Sequence, residues 1–142
     1  MKNRNPIFVY GRFQVGAGRT FLMNCAIYAG KARTWRRYSL KVSTYPFVTS
    51  KIPVSQIHGE VYLVDSETLE LLDLILNHPD CQCREKVPVE LLGGKIISAW
   101  MYFQPDGPGV QIESGDYLDV CSDFPETSIQ MPEDNNAMKM LA

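Results

Sequence analysis

From Lys31 to Lys41 the sequence KARTWRRYSLK sets two kinds of residue in alternation. Lys31, Arg33, Trp35, Arg37, Ser39 and Lys41 fall on one side, and Ala32, Thr34, Arg36, Tyr38 and Leu40 on the other. Successive side chains of an extended chain point to opposite faces, so this segment reads as a strand with one basic face, and a strand this long needs partners. The rest of the chain supplies them. PIFVYG (Pro6 to Gly11) is a short apolar run closed by glycine, the form of a buried strand entering a tight turn. HGEVYLV (His58 to Val64) is a second candidate. EKVPVEL (Glu85 to Leu91) and IISAWMYF (Ile96 to Phe103) flank Gly93 and Gly94, a two-glycine turn suited to a hairpin.

Helical signals are fewer. Asp65 is placed to cap a helix whose first turn carries Glu67, and Leu69, Leu72 and Leu76 recur at the spacing of one buried stripe. Thr20 is a second candidate cap, for a short helix over Phe21 to Ala29 stopped by Gly30. The expectation is an α+β fold: a small mixed β-barrel or strongly bent sheet with one or two helices against it.

A chain of 142 residues is enough for one domain with its own core, here taken as residues 1–122, with a tail over 123–142 rich in Pro, Glu, Asp and Asn. No apolar run approaches the roughly 18 residues of a membrane helix, and the apolar run after the basic start is too short for a signal peptide. A cytoplasmic location with no membrane partner is therefore expected. The four cysteines, Cys25, Cys81, Cys83 and Cys121, contain no Cys-x-x-Cys pair, and two histidines elsewhere do not complete a zinc pattern. Free thiols follow, and neither metal nor cofactor is expected. A net charge of −2 offers no general attraction to nucleic acid.

Several segments, in order, resemble the gamma-glutamylcyclotransferase-like family. FVYG and its polar loop are similar to that family's first strand and ligand-cradling loop, and YPFV (Tyr45 to Val48) to its Tyr-Pro-aliphatic segment. GEVYLVDSETLELLD resembles its central strand and helix, CREKVPVEL its Arg-x-x-Val-x-Val strand, AWMY its late hairpin and SGDYLD (Ser114 to Asp119) its closing segment. The resemblance spans about residues 7 to 119. It implies a small β-barrel with flanking helices and a cavity at one mouth.

The same resemblance implies a catalytic glutamate in a helix reading Leu-Asp-x-x-Glu-Gly, the residue that moves protons as a γ-glutamyl group closes to 5-oxoproline. Leu72 and Asp73 match, but Leu76 stands at the glutamate position. The attacking α-amine must lose a proton and the leaving amine must gain one; a carboxyl can serve both needs and a leucine neither. Loss of a general acid/base typically costs ~10²- to 10⁴-fold in rate. The aromatic usual before the strand arginine is also missing, with Gln82 and Cys83 ahead of Arg84.

A binding role without catalysis is the leading expectation: a protein that senses or sequesters an anionic small molecule. Tyr10 and Gly11 match the family's loop, Arg12 offers a guanidinium for an anion, Phe13 an aromatic face, and Gln14 completes the candidate loop. Tyr45 and Tyr102 are either core-edge tyrosines or pocket walls, and Leu76 either fills the core or lines the cavity. Arg12 beside Phe13 would suit a nucleotide-type signal as well as a γ-glutamyl compound. Two rivals stay open: an active cyclotransferase drawing its carboxylate from Glu60, Asp73 or Glu113, and a structural protein with a filled cavity. Homo-oligomer formation is also open.

Overall fold

A computed structural model of the chain describes residues 4–10 and 26–120. Its strands are β1 (Asn5–Val9), β2 (Ile27–Val42), β3 (Pro46–Thr49), β4 (Ser55–Val64), β5 (Cys83–Leu91), β6 (Ile96–Phe103) and β7 (Val110–Gln111). Among the described residues two helices, α1 (Ser66–Ile75) and α2 (Tyr117–Val120), accompany them.

The neighbours run β2, β4, β1, β6, β5, and β5 returns to pair with β2, so five strands close into a barrel. β1 pairs parallel with β6 and the other barrel pairs are antiparallel, which makes the barrel mixed, as the sequence led one to expect. β3 and β7 extend the far half of β2.

β2 can serve four strands because it is long and bent. Its register against β4 slips between Tyr28 and Gly30 and again between Arg33 and Arg37. Gly30, at φ 131°, occupies the first irregularity, a backbone conformation that side chains rarely adopt. This corrects the expected helix over Phe21 to Ala29: Ala26 is a bend, Ile27 to Ala29 are strand, and residues 21–25 lie outside the described residues. At the second slip Arg36 is exposed beside Arg37, against the expected face, while Tyr38 and Leu40 resume the interior face and Ser39 is buried on the opposite one.

The barrel interior is filled. Phe8, Leu40, Val48, Ile57, Val61, Val89, Ala99 and Met101 belong to one buried cluster. Gly59 faces this interior, where a Cβ would lie 2.2 Å from the Val9 carbonyl oxygen and 2.7 Å from Phe8 Cζ. The buried polar Thr34 is satisfied, donating to the Arg36 carbonyl at 2.6 Å and accepting from the Ile57 amide at 2.9 Å.

Helix α1 covers part of the barrel's outer face. Asp65 caps it as expected, its carboxylate accepting from the Thr68 amide at 2.8 Å. Leu69 and Leu72 join Ile7, Val9, Tyr62, Val64 and Tyr102 in a second buried cluster, with Leu76 and Trp100 at its margin. The helix ends sharply after Leu76. Asn77 takes φ 56°, its amide donates to the Leu74 carbonyl, and the His78 amide donates to the Asp73 carbonyl, the paired bonds of a Schellman stop. Among the described residues no helix is long and apolar enough to cross a membrane.

Candidate functional site

Asp73 lies four residues after Leu69, on the stripe that α1 turns toward the barrel, and a carboxylate there needs partners. Two strands provide them. Arg84 Nε on β5 donates to Asp73 Oδ1 at 2.7 Å, and the Tyr102 hydroxyl on β6 donates to the same oxygen at 2.5 Å. Arg84 and Tyr102 are register partners, so the hairpin presents both at one level. Burial pushes the Asp73 pKa up, but hydrogen bonds from Arg84 and Tyr102, helped by the nearby charges of Arg84 and His78, outweigh it and leave it below the ordinary value. Burial and the Asp73 carboxylate push the Tyr102 phenol strongly upward. Arg84 also lies 4.2 Å from the centre of the Trp100 ring, and its amide donates to His78 Nδ1 at 3.2 Å. Sequence reasoning gave no role to this Asp73–Arg84 pair. An acid on an otherwise leucine-lined stripe was the available signal.

A second carboxylate is buried on the same outer face. Glu60 on β4 is opposite Val9 on one side and Lys31 on the other, is 2% exposed, and its Oε1 accepts from the Tyr62 hydroxyl at 3.2 Å. Tyr28 and Tyr62 pack at 5.3 Å between ring centres. Both phenols are pushed upward, by burial first and then by the charge of Glu60.

The structure divides the candidates read from sequence. Leu76 and Tyr102 meet on the outer face, at the margin of the cluster beneath α1. Tyr10 packs instead against the interior cluster, and its hydroxyl donates to the Tyr102 backbone carbonyl at 2.7 Å. Burial raises its pKa, a hydrogen bond with the Val48 backbone partly offsets this, and Tyr45 nearby adds to the rise. Tyr45 donates to Gln104 Oε1 at 2.9 Å. Tyr10 and Tyr45 thus share one end of the barrel, and the backbone of Tyr102 links them to the outer face. Gly11, Arg12, Phe13 and Gln14 lie outside the described residues. Of the carboxylates considered as substitutes, Glu113 is exposed and accepts from Gln111 Nε2 at 2.5 Å, on the segment that carries β7.

No group of three potential metal ligands occurs among the described residues. Cys81 and Cys83 are free and exposed; Cys25 and Cys121 lie outside the described residues.

A closed five-stranded mixed barrel with a capped helix across its outer face defines a class of fold, and comparison with known proteins agrees with it. The chain belongs to the gamma-glutamyl cyclotransferase, AIG2-like family, whose model matches residues 7–119. It is 41% identical over 115 residues to a protein of Methanocaldococcus jannaschii named "Putative gamma-glutamylcyclotransferase MJ1514", covering 80% of this chain and 95% of that one. It is 35% identical over 118 residues to the gamma-glutamylcyclotransferase family protein YtfP of Escherichia coli K12, covering 80% and 96%. In fold it is similar to a mouse AIG2-like protein, with a TM-score of 0.71 at 23% identity over 80% of this chain and 89% of the other.

Proposed function

We propose that this chain is a small-molecule-binding member of its family that lacks the helix-borne proton carrier and holds an anionic ligand without turning it over. The observation that carries the reading is the environment of the α1 terminus. Leu76 sits at the margin of an apolar cluster, and Asp73, the carboxylate one turn earlier, is committed to Arg84 and Tyr102. A carboxyl held below its ordinary pKa stays ionised near neutrality and is a poor proton donor. The Arg84 guanidinium, which meets Asp73 through Nε, has further N–H groups that suit a ligand with carboxylate or phosphate oxygens.

Thermal denaturation with a panel of γ-glutamyl compounds, amino acids and nucleotides tests the binding role, because a ligand of the folded state raises stability by RT ln(1 + [L]/Kd). At least one anion should raise the melting temperature, and Arg12→Ala should remove most of that rise. Equal responses of both proteins across the panel would remove the loop from the site.

One observation favours a second reading. Glu60 is a buried carboxylate on the same outer face, bonded to Tyr62, and could supply the proton transfer that Leu76 cannot. On that reading the protein releases 5-oxoproline, and Glu60→Gln abolishes release without unfolding the chain.

A further inference from the structure

We infer that a groove along the near half of β2 is a separate binding site for a small organic oxyanion with a short apolar tail. The inference is independent of what the residues around Leu76 do. The groove, about 310 Å³ in volume, lies where β4, β2 and β5 run side by side. Its floor carries three nitrogen-bearing side chains on adjacent strands. Arg33 is opposite His58 on β4 and Glu90 on β5, and Lys31 is one outward-facing position away along β2.

These groups are more available than a list of charges suggests. Arg33 meets Glu90 through Nε at 3.0 Å, leaving its two terminal nitrogens without a partner among the described residues. The Lys31 ammonium and the His58 ring likewise have no hydrogen bond or ion pair among those residues, and Glu60, opposite Lys31 in register, is bonded to Tyr62. Among the described residues lining the groove, Lys31 and Arg33 stand against one carboxylate, Glu90. A guanidinium with free terminal N–H groups beside an ammonium suits a carboxylate or phosphate.

The opposite wall explains the tail. The Leu92 amide donates to the Lys31 carbonyl at 2.8 Å, which ties the β5–β6 turn to the edge of β2. Gly93 and Gly94 follow at φ 109° and 102°, and a Cβ on either would meet nothing within 4 Å, so the turn leaves its side of the groove bare. Leu92 is 83% exposed beside them and has no partner in the barrel core. A charged head on Lys31, Arg33 and His58 would place a chain of a few carbons against Leu91 and Leu92.

Backbone amide shifts in NMR titrations with n-butyl phosphate, n-butyrate and inorganic phosphate test this. Butyl phosphate or butyrate, whichever oxyanion the groove prefers, should move the amides of Arg33, His58 and Leu92 to Gly94 at millimolar concentration. Lys31→Gln, an exposed change, should weaken that binding roughly tenfold, the scale of one charge-assisted hydrogen bond. Leu92→Ala should weaken binding of the alkyl compound and leave inorganic phosphate unchanged. Arg33→Gln is the second charge variant, with folding checked by the same spectra. Absence of shifts at these amides with all three compounds, or shifts that survive both charge variants, would overturn the site.

Discussion

The two sides of the barrel wall are built from the same strands and follow different rules. Inside, alternate residues of β1, β4, β5 and β6 pack as aliphatic and aromatic groups, and the polar Thr34 is fully bonded. Outside, beneath and beside α1, the intervening positions of those strands carry Tyr62, Arg84, Trp100, Tyr102 and the buried Glu60. The period of two that makes a barrel also separates its functions: one face is spent on the core, and only the other can hold polar chemistry. The described interior is occupied by side chains.

Changes on the two faces should therefore differ in size and in kind. The largest loss is expected inside. Phe8→Ala should cost about 3–5 kcal/mol in a denaturant melt, because Phe8 is fully buried against the wall under Gly59 and its cavity cannot fill with water. A cost below that of any outer-face change would mean the interior is loosely packed and would break the contrast.

On the outer face, Asp73→Asn should cost about 2–3 kcal/mol at neutral pH, since it leaves Arg84 without its ion partner. This effect has a pH signature. The folded-state pKa of Asp73 lies below its unfolded value, so its stabilisation is complete above the ordinary carboxylate value near 4 and is lost as pH falls through the folded value. The stability gap between wild type and Asp73→Asn should narrow in acid and stay constant through the neutral range. A constant gap down to the most acid melt would assign the loss to packing.

Leu76→Glu should cost less, about 1–2 kcal/mol, because Leu76 is only half-buried at the cluster margin and a new carboxylate there can stay hydrated. A near-unfolded variant would show Leu76 to be a core plug and would end the binding proposal. The smallest change expected is Trp100→Leu, about 0.5–1 kcal/mol, the worth of the Arg84 stack at 4.2 Å.

Much of the barrel was legible because local signals agreed. β1, β4, α1 and the β5–β6 hairpin follow from apolar runs, one cap and a glycine pair, and each is found within a few residues of its expected limits. β2 was only half legible. Gly30 is equally a helix stop and a strand irregularity in sequence, and only pairing with β4 decides between them. The bend between Arg33 and Arg37 has no sequence mark, so the exposure of Arg36 was missed, whereas Tyr38 and Leu40 keep the expected interior face and Ser39 the opposite one. The site was less legible still. Asp73, Arg84 and Tyr102 are brought together by a helix and a hairpin from positions 11 and 29 residues apart, and no local pattern encodes that meeting. Leu76 was legible by its resemblance to a family motif, whereas the burial of Glu60 emerged only from the closed barrel.

The central claim, binding without turnover, is tested most directly by 5-oxoproline release from γ-glutamyl amines and dipeptides, measured for wild type, Glu60→Gln and Leu76→Glu under one set of conditions. No release from wild type or Glu60→Gln is expected, with folded Leu76→Glu as the one variant able to gain activity. Release by wild type that Glu60→Gln abolishes would contradict the claim and make the chain an enzyme whose proton carrier sits on β4.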